Sequence, residues 1–169
     1  MSELKELAAE AKHELLTHII PFWRGMRDDK FGGYYGYLSY DLALDEKAEK
    51  GCILNSRITW FFANAYLLYK DGGISEEECE AAGFRGEDLL TEAKHGYEFL
   101  RDHCIDKKYG GIFWSLNYDG TPLDTTKHTY NQAFCIYALS SYYDAAGDKE
   151  ALEPVSYTHL RAHETAANL

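Results

Sequence analysis

The feature that most constrains how this chain can fold is the stretch at 55–69, NSRITWFFANAYLLY, which has helical character but carries no charged side chain after Arg57. A helix on a protein surface has one apolar stripe, whereas a helix that is apolar on every side is buried on every side. At about 100° per residue, this stretch has an apolar side and a second, partly polar side near its start. The apolar side comprises Ile58, Phe62, Ala65 and Tyr69, and the second side comprises Arg57, Trp60 and Asn64. The stretch therefore predicts an inner helix, with a layer of helices outside it and an enclosed space on its other side.

Three further helices complete the predicted pattern. The four predicted helices span about 3–20, 55–70, 87–103 and 128–145. Ser2 is suited to cap the first helix and Pro21 to stop it. The first and third helices are amphipathic, with apolar stripes formed by Leu4, Leu7, Ala8, Ala11, Leu15 and Ile19 and by Leu90, Ala93, Tyr97 and Leu100. We expect these two helices to form the outer layer, with Glu92 facing outward, and the two uncharged helices to lie inside and roughly parallel to each other.

The sequence contains an internal repeat. Residues 30–41, KFGGYYGYLSYD, align with residues 108–119, KYGGIFWSLNYD, at an offset of 78 residues. In each copy a Gly-Gly pair follows a polar cluster and precedes aromatic residues, which is typical of a turn that feeds a hairpin. Each repeat has the order amphipathic helix, hairpin, uncharged helix, and such repeats indicate an array of stacked units. Two units do not provide enough neighbours to bury inner helices that are apolar on every side. The repeat therefore predicts the opening part of an α/α toroid. The alternative is an open helical solenoid used for binding.

Composition limits the partners and the compartment. The 169 residues carry a formal net charge of -11 at pH 7 and no run of Lys or Arg, which argues against nucleic acid or an anionic membrane as a partner. The N-terminal segment does not resemble a signal peptide, and no uncharged run reaches the length of a membrane span. Because the cysteines lack disulfide or metal-binding spacing, we interpret them as reduced thiols of a cytoplasmic protein and expect no metal site. They are Cys52, Cys79, Cys104 and Cys135.

The candidate chemical groups lie at the same end of the two uncharged helices. Arg57 is placed in the first turn of one helix, and His128 and Tyr130 begin the other, so the two hairpins cover one common mouth. Helix N-termini carry positive potential, and an added guanidinium makes such a mouth suited to hold or create negative charge. Trp60, one turn further along, suits stacking on a sugar ring.

Each of these residues also has a purely structural interpretation. Arg57 would then form an ion pair with Asp41 or Asp45 in the preceding hairpin. Trp60 would be a core side chain and Tyr130 a core hydroxyl with a hydrogen-bond partner. His128 is interpreted as a capping or structural histidine rather than as a base.

Three strings in the sequence resemble a known family. They are ILNSRITWFFANAYLLY, DKFGGYYGYLSYD and KHTYNQAFCIYALSSYYDAAGDKEAL, and they are similar to the N-terminal part of the cellobiose 2-epimerases, within the N-acylglucosamine 2-epimerase superfamily. The resemblance covers roughly residues 13–153, apart from an acidic segment at 74–86. Members of that family are barrels of six helical hairpins. The resemblance therefore implies that residues 1–153 are the N-terminal portion of an epimerase domain, an all-α, incomplete (α/α)6 barrel with about two of the six hairpins and short β-hairpin loops.

The resemblance also implies an activity. In that family the reducing-end glucose of cellobiose or a related oligosaccharide is interconverted with mannose without a cofactor, because a proton leaves C2 to give a cis-enediolate and returns to the other face. By motif match, Arg57 stabilises the enediolate oxygens, while Trp60 and Tyr130 contact the sugar. The implied partner is a β-linked disaccharide such as cellobiose, and the complete protein is expected to be a monomer. Mannose isomerase and N-acylglucosamine 2-epimerase of the same superfamily stay open as alternatives, as does a non-enzymatic helical-repeat binding module.

The resemblance further indicates what this chain lacks. The two catalytic histidines of the family belong to later helices, and we assign none of His95, His103 and His128 to their role, so the chain by itself is expected to be inactive. Glycoside hydrolases on a similar barrel need two carboxylates at the mouth, and the uncharged helices offer none before Asp144. Because missing neighbours leave apolar surface bare, the isolated chain is expected to aggregate or to be molten.

Residues 154–169 are interpreted as a non-native tail. The apolar periodicity breaks at 153–156, and SYTHLRAHET is similar to translated sequencing-adapter strings at the ends of unrelated proteins. The alternative is a helical metal pair formed by His159 and His163. That motif has the histidine spacing but lacks a glutamate directly after the first histidine and a third ligand.

Overall fold

The computed structural model describes residues 3–154, in which helices form an inner and an outer layer. The helices are α1 (Glu3–Glu14), α2 (Ile20–Gly25), α3 (Cys52–Lys70), α4 (Glu76–Ala81), α5 (Gly86–Phe99) and α6 (Thr129–Ala146). The irregular helical turns are a π-helical turn at Leu15–Ile19, another at Leu100–Cys104 and a 3-10 turn at Lys149–Leu152. Three short antiparallel strands lie in the order β1 (Lys50–Gly51), β2 (Ser115–Leu116) and β3 (Pro122–Asp124). Within the described residues, no helix has the length and hydropathy needed to cross a membrane.

The two predicted inner helices, α3 and α6, lie side by side and run in the same direction. Arg57 of α3 packs on the ring of Phe134, and Trp60, one turn later, stacks on Tyr137. Positions later in one helix therefore meet positions later in the other, as expected for parallel neighbours. A parallel pair places both helix N-termini, and the hairpins that precede them, at one end of the molecule.

The prediction that α3 is an inner helix is confirmed. Within 58–69 every residue except Leu68 is buried or half-buried. Helix α5 covers the outer side of α3, and the approach is so close that a Cβ at Gly96 would lie 2.2 Å from the hydroxyl of Thr59. Helix α5 also contacts α6, because Tyr97 of α5 stacks on Tyr142 of α6 with ring centroids 4.4 Å apart. One outer helix thus packs against both inner helices.

Two predictions about the first outer helix are wrong. Pro21 does not stop it, because a π-helical turn that ends at Ile19 leads into α2, and α2 contains Pro21 and continues to Gly25. Proline is tolerated in the first turn of α2, since a backbone N–H at that position has no required partner within the helix. The apolar stripe of α1 is also not packed, because Leu4 and Leu7 are 77% and 63% exposed and no residue of α1 is buried.

Glu92 faces inward, contrary to the prediction. Its carboxylate accepts a hydrogen bond from the Arg27 guanidinium at 3.2 Å, and the Arg24 guanidinium lies at 3.5 Å. The Tyr34 hydroxyl lies 3.2 Å from the same carboxylate and 3.0 Å from the Glu92 carbonyl, and burial raises the pKa of Tyr34, so this hydroxyl stays a neutral donor. A buried carboxylate requires such partners. The cluster ties α2 and the first hairpin to α5.

The two Gly-Gly hairpins are built alike, beyond the residues that repeat in sequence. In each, an aspartate, Asp28 or Asp106, accepts hydrogen bonds from the backbone N–H groups two and three residues later. A lysine, Lys50 or Lys127, then donates both to that carboxylate and to the carbonyl of the first glycine in the pair. Each turn is therefore closed by one carboxylate and one ammonium group.

A side-chain amide attaches each inner helix to its hairpin. The Oδ1 of Asn55 accepts a hydrogen bond from the backbone N–H of Tyr34 at 2.9 Å, and the Oε1 of Gln132 accepts one from Ile112 at 2.8 Å. Gly33 has a φ of 66°, and a Cβ there would lie 2.6 Å from the Asn55 oxygen, so this contact requires glycine. The beginnings of α3 and α6 are thus held beneath their hairpins.

The two lysines differ in burial and provide matched variants. The side chains of Lys50 and Asp28 are 0% and 1% exposed, whereas those of Lys127 and Asp106 are 32% and 11% exposed. Lys50→Met leaves a buried carboxylate unpaired, so we expect it to lower the free energy of unfolding by about 3–5 kcal/mol. Lys127→Met should lower the free energy of unfolding by no more than about 1 kcal/mol, because water screens the pair of Lys127 and Asp106. Urea unfolding measures the loss of unfolding free energy in each variant. Equal losses would contradict the conclusion that the buried pair stabilises the fold more than the partly exposed one.

The partly exposed pair also predicts a pH dependence. The hydrogen bond from Lys127 lowers the pKa of Asp106 to about 2. A carboxyl whose pKa is lowered by folding contributes stability above its unfolded pKa of about 4, and that contribution is lost as the pH falls through the folded value. The stability difference between Lys127→Met and the parent chain should therefore shrink between about pH 4 and pH 2. Carboxyl NMR titration should show a higher Asp106 pKa in the variant. An unchanged pKa would show that Lys127 does not cause the lowered Asp106 pKa.

Candidate functional site

The three candidate site residues meet where the first halves of α3 and α6 face each other. The guanidinium carbon of Arg57 lies 5.6 Å from the ring centroid of Phe134. Trp60 and Tyr137 are stacked, with centroids 5.0 Å apart and an interplanar angle of 19°. The ring of Tyr130 packs at 72° to Phe134, with centroids 4.8 Å apart. Arg57 and Tyr130 therefore share Phe134 as a contact, and Trp60 packs on the same helix, α6, and lines the same cleft as Arg57.

Arg57 has no carboxylate partner among the described residues. The alternative interpretation is wrong, because neither Asp41 nor Asp45 forms an ion pair with Arg57; they accept hydrogen bonds from Ser39 and from the Lys47 N–H instead. The guanidinium is exposed and rests on an aromatic face, a contact worth about 0.5–2 kcal/mol. Its N–H donors thus remain available to an anionic ligand.

Arg57 lies deeper in its helix than the sequence pattern suggested. Helix α3 begins at Cys52, so Arg57 is in the second turn rather than the first. The positive potential of a helix terminus falls off within the first turn, so the charge at this position comes mainly from the guanidinium itself. Tyr130 is the second residue of α6, as predicted for the start of that helix, and its side chain is 60% exposed.

A cleft of about 530 Å³ adjoins this surface. Arg57 and Trp60 line one edge of it, and its remaining walls are apolar. The other lining residues are Trp23, Ile53, Leu54, Ile58 and Phe61. An apolar lining of this kind is typical of a surface that packs against another part of a protein. A small-ligand site also needs polar groups that fix the ligand, and in this cleft Arg57 and Trp60 carry such groups at one edge. Arg57 is therefore the charged side chain of this cleft.

The histidines near the mouth have structural contacts. The Nε2 of His95 lies 2.8 Å from the Gly33 carbonyl, and the Nδ1 of His103 lies 3.2 Å from the Gly120 carbonyl. His95 thus attaches α5 to the first hairpin, and His103 attaches the following π-helical turn to the second. His128 occupies the N-cap position of α6, but its side chain makes no capping hydrogen bond. Its ring instead packs against Trp114, with centroids 4.7 Å apart.

The sequence patterns missed the aromatic partners at this site. Phe134 and Tyr137 follow Arg57 and Trp60 at an offset of 77 residues, the same offset that separates the two hairpin-binding amides. The repeat therefore continues into the inner helices with a shift of one residue. Extending the alignment with that shift would have paired Phe134 with Arg57 and Tyr137 with Trp60. The residue types alone do not distinguish Phe134 and Tyr137 from aromatic residues of the core.

Comparison with known proteins gives consistent matches. A curated relative, a cellobiose 2-epimerase from Ruminococcus albus, is 54% identical over 146 residues, which cover 86% of this chain and 34% of the relative. A D-mannose isomerase from Marinomonas mediterranea is 28% identical over 160 residues, which cover 92% of this chain and 36% of the relative. The chain thus spans about a third of the length of the curated relatives it matches.

A solved structure of a sugar epimerase from a ruminal bacterium superimposes with a TM-score of 0.80 at 51% sequence identity, covering 94% of this chain and 37% of that chain. The expected fold class, part of an (α/α)6 barrel, is confirmed. A family model described as N-acylglucosamine 2-epimerase matches residues 33–166. Residues 155–169 lie outside the described residues, so the non-native tail stays a prediction. This chain belongs to the N-acylglucosamine 2-epimerase family.

Proposed function

We propose that this chain is part of a sugar 2-epimerase that interconverts reducing-end glucose and mannose units, with cellobiose as the representative substrate. The observation that carries the proposal is the state of Arg57. Its guanidinium is exposed, has no carboxylate partner in the described part of the chain and rests on the ring of Phe134. In a chain with 28 acidic residues, an arginine without such a partner is free to bind negative charge on a substrate.

Arg57 fits the charge that the proposed reaction develops. Removal of the C2 proton from the open-chain sugar leaves a cis-enediolate, in which two neighbouring oxygens share the negative charge. A planar guanidinium can donate two parallel hydrogen bonds to such a pair. This interaction strengthens as the charge forms, so it stabilises the transition state more than the bound sugar.

The aromatic residues fit the neutral part of the sugar. Tyr130 is 60% exposed beside Phe134, so its ring and hydroxyl are open to a ligand. Trp60 is held in place by stacking on Tyr137 and lines the same edge as Arg57. Aromatic rings with a polar tip provide an apolar face and a hydrogen bond together. We assign both residues to substrate binding at the reacting sugar.

The proton-transfer groups are proposed to lie outside this chain. Of the described histidines near the mouth, His95 and His103 are hydrogen-bonded to backbone carbonyls and His128 packs against Trp114, which supports leaving all three out of catalysis. The chain also spans only about a third of the length of its curated relatives. We therefore expect the chain alone to be inactive and to require no cofactor once the missing acid and base are supplied.

A mannose isomerase is the second candidate, because it would use the same enediolate and return the proton to C1 instead of C2. The identity to the cellobiose 2-epimerase, 54% against 28% for the mannose isomerase, favours the epimerase. A helical-repeat binding module or an N-acylglucosamine 2-epimerase would share the fold. The binding module would not need an unpaired Arg57 at the mouth.

The role of Arg57 can be tested in a chimera that joins residues 1–153 to the remaining part of the Ruminococcus albus enzyme. In this chimera, Arg57→Ala should lower kcat with cellobiose by about 10²–10³, with a smaller change in KM, because the lost interaction acts on charge that forms along the reaction path. Arg57→Lys should recover part of the rate, since it restores the charge but not the paired donors.

Arg85→Ala is the matched control, because this arginine is also exposed and its partner Asp88 is on α5, away from the mouth. It should leave kcat unchanged. Circular dichroism of each variant checks that the helices remain. Full turnover by Arg57→Ala would exclude the proposed role, and an inactive chimera with intact Arg57 would count against the epimerase assignment itself.

A further inference from the structure

Three of the four cysteines meet in the interior of the fold, although they lie far apart in the sequence. Cys52, Cys104 and Cys135 are 0%, 0% and 1% exposed. Cys52 is the first residue of α3, and Cys104 is the last residue of the π-helical turn that follows α5. Cys135 lies in the second turn of α6. The proposed reaction uses none of these thiols, so their proximity requires a separate explanation.

A short segment of the second hairpin holds the three cysteine-bearing elements together. The carbonyl of Cys104 accepts a hydrogen bond from the backbone N–H of Phe113 at 2.9 Å. The backbone N–H of Cys52 donates to the carbonyl of Trp114 at 3.1 Å. The side-chain amide of Asn131, on α6, donates to the Phe113 carbonyl. Two consecutive hairpin residues therefore bind the beginning of α3, the beginning of α6 and the end of the π-helical turn.

Within this cluster, Cys52 and Cys104 form a direct pair. Their thiols are hydrogen-bonded, and burial together with this hydrogen bond raises the pKa of Cys104 well above its usual value. Cys104 therefore stays a neutral thiol that donates to the Cys52 sulfur. The third thiol, Cys135, interacts with Cys52 through charge rather than through a hydrogen bond, and burial raises its pKa to about 12. The two sulfur atoms in contact are thus those of Cys52 and Cys104.

We propose that Cys52 and Cys104 are an oxidation site, at which hydrogen peroxide joins them in a disulfide bond. The Cys52 sulfur attacks one oxygen of the peroxide, the O–O bond breaks and hydroxide leaves, so that Cys52 becomes a sulfenic acid. The Cys104 sulfur then attacks the Cys52 sulfur, and the S–O bond breaks with loss of a second hydroxide. The two thiol protons convert both hydroxides to water, and two electrons pass from the sulfur atoms to the peroxide.

The position of Cys52 fits the attacking role. It begins α3, and the backbone N–H groups at the start of a helix stabilise negative charge on a sulfur atom. The strand that leads into it, β1, consists of Lys50 and Gly51 and pairs with β2 over these two residues. Short terminal elements open locally at a lower free-energy cost than the middle of a packed helix does, so a small oxidant can reach the buried pair.

The disulfide acts on the candidate site through α3. Cys52 lies five residues before Arg57 in the same helix, and Asn55, between them, holds the first hairpin. Two bonded sulfur atoms lie closer together than two thiols in contact, so the bond draws the first turn of α3 toward the π-helical turn. Oxidation should therefore displace Arg57 and slow the reaction. This effect on turnover rests on the proposed function, whereas the disulfide itself does not.

Peptide mapping of the oxidised chain tests the site directly. The folded 169-residue chain is treated with hydrogen peroxide, the remaining thiols are blocked, and linked peptides are identified by mass spectrometry. We expect a link between Cys52 and Cys104 that dithiothreitol reverses. The same treatment in urea should give mixed pairings, because the contact depends on the fold. A link from Cys52 to Cys135, mixed pairings without urea, or no link would overturn the proposal.

Single substitutions separate this pair from the other cysteines. Cys104→Ala removes the second thiol, so oxidation should stop at a sulfenic acid on Cys52, which dimedone traps. Cys79→Ala is the matched control, because Cys79 is equally buried but has carboxylates as its charged neighbours, and it should leave the link intact. Circular dichroism checks that both variants fold. A disulfide at Cys52 in Cys104→Ala, or loss of the link in Cys79→Ala, would refute the pairing.

Turnover by the chimera tests the effect on Arg57. Peroxide should lower kcat with cellobiose by about 10–100-fold, because a misplacement of about 1 Å costs up to about 100-fold in rate. Dithiothreitol should restore kcat, and Cys104→Ala should keep its turnover after peroxide treatment. A linked chimera with undiminished kcat would overturn the effect on Arg57. An untreated chimera without turnover would count against the epimerase assignment instead, while peptide mapping still decides whether the disulfide forms.

Discussion

The position of the candidate site depends on the hydrogen bond between the Asn55 side chain and the backbone N–H of Tyr34. This bond joins a residue in the first turn of α3 to the hairpin that precedes it, and Arg57 follows two residues later. The hairpin itself is held by Asp28 and Lys50, whose side chains are almost completely buried. Because a buried ion pair tolerates little displacement, it fixes the hairpin, and through Asn55 it fixes the place where the arginine leaves the helix.

The two kinds of positive charge in this region have opposite surroundings. Lys50 is fully buried and donates to Asp28 and to a backbone carbonyl, so its charge is used inside the fold. Arg57 lies a few residues away, is exposed and rests on the ring of Phe134. An aromatic face attracts a cation without occupying its N–H donors. This difference separates a structural cation from one that is suited to bind a reacting anion.

The apolar pattern was sufficient to predict the inner helices, because a helical stretch that is apolar on every side has to be buried whatever its neighbours are. The same periodicity failed at Glu92, since a helical pattern assigns a side chain to a face but does not reveal that Arg24 and Arg27 lie opposite that face. It also failed at Pro21, where a π-helical turn accommodates the ring. The partner of Arg57 was hidden for another reason, because Phe134 has the same character as any core aromatic.

The central claim is that Arg57 serves a reaction in which the proton at C2 of the sugar is removed and returned. Its most direct test is to incubate the chimera of residues 1–153 and the remaining part of the Ruminococcus albus enzyme with cellobiose in heavy water. The account predicts one deuterium at C2 of the glucosyl-mannose product, because the abstracted proton exchanges with solvent. A mannose-type product without deuterium at C2, or a ketose labelled at C1, would contradict it.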